Sequence, residues 1–142
     1  MKQNLKLCAA FCLILFAGIA YSAVEGKPRK MQNIPAGMWG GQGISIQING
    51  NTATVEYDCA NGTISGPFKL DRNGKFNVSG RHVREHGGPI RLNEERASQP
   101  ARFTGWTDGK KMTLTVTLES SKQDIGTFVL QFGSSGRIRK CR

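Results

Sequence analysis

Thr52-Ala53-Thr54-Val55-Glu56-Tyr57-Asp58-Cys59 is the stretch whose reading settles the fold class. Ala53, Val55, Tyr57 and Cys59 alternate with Thr54, Glu56 and Asp58, the two-residue period of a strand with one apolar and one wet face. It ends in a cysteine whose counterpart is Cys141, next to the last residue. A bond between the two would fasten the carboxyl end to the end of an early strand and close most of the domain on itself.

The same period recurs on both sides. Upstream, Ile44, Ile46 and Ile48 alternate with Ser45 and Gln47. Downstream, Ile64, Gly66, Phe68 and Leu70 read as the inner face of a strand over Thr63 to Leu70, with Pro67 marking an edge or a bulge. Asn-Gly occurs at positions 49, 61 and 73, and both central residues of a type I′ hairpin turn take the positive φ that this dipeptide tolerates. That spacing predicts a meander of neighbouring antiparallel strands. A strand from Lys75 through Arg84 places Phe76 and Val78 inward, and Phe103 and Gly105 alternate with Thr104 and Trp106. Met112, Leu114, Val116 and Leu118 form another inner face, Phe128, Leu130 and Phe132 the next, and Arg137 to Cys141 reads as a final basic strand. Ahead of them all, Gly37-Met38-Trp39-Gly40-Gly41-Gln42-Gly43 opens the domain with glycines that let backbone pass close to Trp39 or bend the first strand. About eight strands in consecutive hairpins predict an all-β fold, a meander closing as a small β-barrel so that no sheet edge stays exposed.

Met1-Lys2-Gln3-Asn4-Leu5-Lys6 carries two lysines and precedes an apolar run from Leu7 to Ala20. This is the pattern of a secretory signal peptide, shorter than the roughly 20 apolar residues of a spanning helix, with cleavage after Ser22 or after Ala20. The expected organisation is a signal peptide over 1–22, a flexible lead-in over 23–36 and one barrel domain over 37–142. The mature chain then has no transmembrane segment, and its expected location is periplasmic or secreted. Cys8 and Cys12 leave with the leader, and an oxidising compartment favours a disulfide between Cys59 and Cys141.

The chain holds 20 Lys and Arg against 10 Asp and Glu, a formal charge of +10. It stays basic after Lys2 and Lys6 are removed. Such charge suits an anionic partner or keeps an exported protein soluble. With no recognition motif beside it, no sequence-specific nucleic-acid binding is expected. There is no glycine-rich phosphate loop opening a helix and no nucleophile elbow, and nothing calls for a cofactor.

Gly37-Met38-Trp39 near the start of the domain, with Arg137 or Arg139 near its end, resembles the G-x-W…R signature of the calycin barrels, lipocalins and avidin-like proteins among them. The span from Met38 through Gly87-Gly88-Pro89 to Lys140-Cys141 also resembles small exported bacterial proteins of unassigned function. The calycin resemblance implies a barrel in which Trp39 plugs one end and an arginine, here Arg139, packs over it. It implies a cavity, not a particular ligand.

His82-Val83-Arg84-Glu85-His86 fits the H-x-x-E-H pattern of zinc peptidases, where both histidines project from one helical turn onto the metal. On a strand the two residues stand about 13 Å apart at roughly 3.3 Å per residue, too far for one zinc ion. A helix over 81–86 is therefore the condition for a zinc-dependent hydrolase. Arg81, Arg84, His86, Arg91, Arg96 and Arg102 flank or lie in the one long connection, and guanidinium groups bind carboxylate and phosphate bidentately. The alternative is a solvated loop held by surface ion pairs. Trp106, on the face opposite Phe103, is expected to be exposed and near that loop. Candidate ligand- or partner-binding residues are thus Arg84, His86, Arg91 and Trp106, with no catalytic residue and no metal ligand assigned. The expected function is a non-enzymatic exported binding module engaging a small or anionic ligand through the barrel cavity or the 84–102 loop. A protein inhibitor or protein-interaction module acting through the same loop is the alternative, and beyond it the zinc-dependent hydrolase. A hollow interior favours a cavity ligand, and a packed one moves the function to the loops.

Overall fold

The computed structural model describes residues 33–89 and 97–141. They form β1 (Gly37–Gly41), β2 (Ile44–Asn49), β3 (Thr52–Tyr57), β4 (Ala60–Ser65), β5 (Lys75–Arg84), β6 (Ser98–Thr107), β7 (Lys111–Leu118) and β8 (Asp124–Phe132). Each strand pairs antiparallel with the next, and β8 pairs back onto β1, so the sheet closes as an up-and-down barrel. No helix occurs among the described residues. The alternation explains why. Ile44, Ile46 and Ile48, then Ala53, Val55 and Tyr57, then Met112, Leu114, Val116 and Leu118 are all buried, while the residues between them face outward. A helix would scatter these side chains around its circumference, whereas a strand gathers them on one face, each burial contributing about 1.5–3 kcal/mol for the larger ones.

The chain ends depart from the sequence reading. Gly37–Gly41 is a strand in its own right, and Arg137 to Cys141 is not a strand. After β8 the chain turns at Gly133, whose N–H donates to the Met38 carbonyl, and runs back as a strap over the outer face of β1. The Arg137 N–H donates to the Gly41 carbonyl, and the Gly43 N–H to the Arg137 carbonyl. A Cβ at Gly40 would lie 2.1 Å from the Gly136 nitrogen, so the strap crosses β1 only because that position has no side chain.

The Asn-Gly pairs behave in three ways. Asn73-Gly74 enters β5 as a turn, with Gly74 at φ +77 and the Asp71 carboxylate accepting the N–H groups of Asn73 and Lys75. At the first pair the turn centre is Gly50-Asn51, between the paired Asn49 and Thr52, and Gly50 alone has positive φ, the type II′ pattern. Asn61 and Gly62 are not a turn at all but lie inside β4, opposite Glu56 and Val55. That hairpin turns earlier, at Asp58-Cys59, with Cys59 at φ +56. Pro67 supplies the reason. A turn at Asn61-Gly62 would carry the following strand through Pro67, which has no N–H for the ladder, whereas the earlier turn ends β4 at Ser65.

The chain between β4 and β5 folds over one end of the barrel. Phe68 is buried there, its carbonyl accepts the Ile34 N–H, and Asn33 bridges to Lys69. The lead-in expected to be flexible as far as Ala36 is therefore docked from Asn33 onward. Trp39 is fully buried, donates its indole N–H to the Pro35 carbonyl at 3.0 Å and meets Phe132 edge-on at 5.1 Å. This is the closed end. The proposed signal peptide over 1–22 lies outside the described residues, and no helix among those described is long and apolar enough to cross a membrane.

Cys59 and Cys141 form a disulfide, their Cα atoms 4.9 Å apart and separated by 82 residues. Replacing both with serine should lower the unfolding free energy by about 2–5 kcal/mol in urea titrations. Because the bond anchors the strap, native-state trypsin digestion of that variant should cut after Arg137 or Arg139 while the wild-type protein resists. Equal cutting of both would show that the strap holds without the bond.

Candidate ligand site at the barrel mouth

At the end opposite Trp39 the inner faces of β3, β5, β7 and β8 continue past the packed core and surround a cavity of about 540 Å³. The alternation that buries Phe76 and Val78 on β5 brings His82 and then Arg84 to the same face, as it brings Tyr57 after Ala53 and Val55 on β3. Leu118 from β7, Ile125 and Phe128 from β8 and Gln99 from β6 complete most of the wall, with Asp58 and Cys59 at the β3–β4 turn. Below it the interior is filled by Trp39, Phe103, Leu114 and Leu130. Gly80 faces inward at this level, where a Cβ would stand 2.7 Å from the Phe103 ring, so the ring of Phe103 takes the volume a side chain would need.

The polar groups of the wall are conspicuous for what they lack. Tyr57 is 3% exposed and His82 6%, and neither the Tyr57 hydroxyl nor His82 Nδ1 has a hydrogen-bond partner among the described residues. Their rings meet edge-on at 5.4 Å, and Tyr57 also lies 5.8 Å from Phe128. Burial pushes the Tyr57 phenol well above its ordinary value, so it stays protonated. Burial, and secondly the charge of Arg84, lower the pKa of His82 and hold the imidazole neutral near pH 7. Arg84 is exposed at the rim and has no carboxylate partner among the described residues.

Outside the wall a second cluster fixes the rim. Glu85 faces away from the cavity and accepts a hydrogen bond from the Asn61 amide at 2.7 Å, and it pairs with Lys140 Nζ at 3.3 Å. Lys140 also pairs with Glu56 and donates to the Ala60 carbonyl at 3.4 Å. The Arg139 N–H donates to Asp58 Oδ1 at 2.5 Å. The strap, the disulfide and these contacts all converge on the turn that borders the cavity.

The residues singled out in the sequence part company. Arg84 reaches the cavity rim. His86 lies beyond the end of β5, exposed, with Nδ1 2.9 Å from the Gly87 carbonyl, and Arg91 lies outside the described residues. Trp106 is 42% exposed, as expected of its face, but it pairs with Lys75 at the closed end, whereas His82 pairs with Gln99 at the mouth. The β5–β6 hairpin is so long that its two ends serve different ends of the barrel, which removes Trp106 from the 84–102 loop. Trp39 fills the closed end, but Arg139 stands beside Asp58 at the mouth, not over the tryptophan. In the H-x-x-E-H pattern His82 faces inward from a strand, Glu85 belongs to the outer cluster and His86 follows the strand, so the two imidazoles share no helical face. Among the described residues no three His, Cys, Asp or Glu side chains gather as a metal site. Tyr57, Gln99 and Phe128 were not singled out in the sequence. The available signal was a polar-tipped residue, Tyr57 or His82, at the end of an otherwise apolar inward row.

Fold and site together define a class: a closed up-and-down β-barrel with a disulfide-anchored strap and a polar-walled cavity at one end. Comparison of the chain with protein-family models, with curated proteins and with solved structures finds no match.

The environment of His82 makes stability depend on pH in a definite direction. The unfolded chain protonates this histidine at about pH 6.5, while the folded protein resists protonation, so below that value the unfolded state binds more protons. The contribution is complete above roughly pH 6.5 and is lost as pH falls through the lowered folded pKa. Urea midpoints measured from pH 7.5 downward should therefore decline below that point, and His82→Gln should flatten the decline. An unchanged slope in the variant would assign the effect elsewhere.

Proposed function

We propose that the protein is an exported, non-enzymatic binding module that takes a small ligand into the mouth cavity. The observation that carries this reading is that two residues lining the cavity, Tyr57 and His82, each hold a buried polar atom, Oη and Nδ1, without a hydrogen-bond partner among the described residues. An unsatisfied buried polar group costs about 1–3 kcal/mol, which a ligand offering the missing partner recovers on binding. The volume of about 540 Å³ falls within the range of roughly 300–1,000 Å³ typical of small-molecule sites. Leu118, Ile125 and Phe128 provide apolar wall, and Gln99, Gln123 and Arg84 provide the few polar groups that orient a ligand. The leader-like residues Met1 to Ala20 and the disulfide support export. The cavity is favoured over the 84–102 loop because Tyr57, His82, Arg84 and Gln99 project from paired strands, which hold them in place.

Ligand-observed NMR with a panel of small neutral and anionic fragments tests the reading. At least one fragment should bind the wild-type protein and be displaced by Gln99→Trp, which puts an indole into the cavity from an exposed position on β6 without disturbing the core. An empty panel, or binding indifferent to that substitution, would remove the cavity from consideration.

A further inference from the structure

We infer that the cavity's ligand is a small aromatic acid with a hydroxyl at the far end of its ring, its carboxylate at Arg84 and its hydroxyl at Tyr57 and His82. The inference rests on the mouth cavity being the binding site. Its first support is charge. Among the groups lining the cavity only Arg84 and Asp58 are formally charged, and Asp58 is already engaged by the Arg139 N–H. One guanidinium without a carboxylate partner among the described residues suits a single negative charge, which it holds through paired N–H donors. A dianion such as a phosphate monoester would meet one cation and, at the turn, a carboxylate. A cation would meet the Arg84 guanidinium, with the one lining carboxylate, Asp58, already engaged by the Arg139 N–H.

The second support is the deep end. Tyr57 Oη donates and accepts, and the neutral imidazole nitrogen of His82 does one or the other according to its tautomer. A ligand hydroxyl, itself donor and acceptor, completes both. A second charged group there would be desolvated against two neutral partners, at high cost. The third is spacing. His82 and Arg84 leave the same face of β5 two residues apart, about 6.6 Å at roughly 3.3 Å per residue, close to the span that one benzene ring sets between a carboxylate and a para hydroxyl. One wall along that span is built from the rings of Tyr57 and Phe128, packed on each other at 5.8 Å and tilted by 47°, with Leu118 and Ile125 beside them, a surface against which a flat aromatic body packs.

Titration calorimetry at pH 7.5 with 4-hydroxybenzoate, benzoate and 4-hydroxybenzyl alcohol tests each part. The first compound should bind tightest. Arg84→Gln should weaken 4-hydroxybenzoate by about tenfold or more, the loss of a charge-assisted pair, and leave the neutral alcohol unchanged. Tyr57→Phe should weaken 4-hydroxybenzoate and leave benzoate unchanged. Tyr57→Phe keeps the ring and Arg84 is exposed, so neither substitution disturbs the core, and melting curves confirm folding before titration. The inference is overturned if the alcohol binds wild-type protein as well as the acid does, or if Arg84→Gln weakens acid and alcohol alike. Should none of the three bind while the fragment panel yields another ligand sensitive to Gln99→Trp, the aromatic-acid class is wrong and the cavity reading stands. Should the panel be empty as well, both fall.

Discussion

The pairing of β1 with β8 turns a ribbon of hairpins into a barrel, and it is the shortest ladder among the eight described strands. It matches only Trp39, Gly40 and Gly41 with Phe132, Gln131 and Leu130, whereas β5 and β6 pair from Lys75–Trp106 to Val83–Ser98. It also joins the two ends of the described chain, so its closure entropy is the largest of any strand pair. The strap compensates on both counts. It continues from β8, hydrogen-bonds along β1 through Gly133 and Arg137, and ends in the bond to Cys59. The cross-link lowers the entropy of the unfolded chain, and the strap's own backbone bonds lengthen a seam that would otherwise fray.

The same geometry leaves the mouth hollow. β8 continues from Leu130 back to Asp124 with β7 as its ladder partner, beyond the reach of the short β1. Ile125 and Phe128 therefore stand on a wall that is not drawn in by a strand on the other side. At the closed end Trp39, Phe68 and Ile34 fill the interior, so the barrel is packed at one end and open at the other. The polar positions at the end of the inward rows, Tyr57 and His82, fall where the packing gives out. Two polar atoms there, Tyr57 Oη and His82 Nδ1, are buried without a partner among the described residues, at a cost of about 1–3 kcal/mol each.

The rim is held by chemistry that sequence distance disguises. Lys140 reaches Glu56 across 84 residues and Glu85 across 55, and the Arg139 backbone reaches Asp58 across 81. These contacts and the disulfide share one turn, so the strap that closes the seam also sets the cavity border. Glu85, which a motif reading assigns to metal chemistry, serves this outer cluster because β5 is a strand and successive side chains point to opposite faces.

With Cys8 and Cys12 assigned to the leader, the cysteine count left Cys141 as the partner of Cys59. Period alone was enough to determine the all-β class and the inner face of nearly every strand, because a two-residue alternation carries its meaning locally. It misplaced the Asn61-Gly62 turn, since only Pro67 further along made the earlier turn at Asp58-Cys59 the better one. It read Arg137 to Cys141 as a strand, since nothing local distinguishes a strand from a strap that crosses a glycine on another element. The binding groups followed the same division. Arg84 stood out as a charge in a basic stretch, while Tyr57, His82, Gln99 and Phe128 became one site only when strands distant in sequence closed into a ring. Hairpin pairing, which sends Trp106 to one end of the barrel and Arg84 to the other, is a property of register, and register is settled by the packing of the whole inner face.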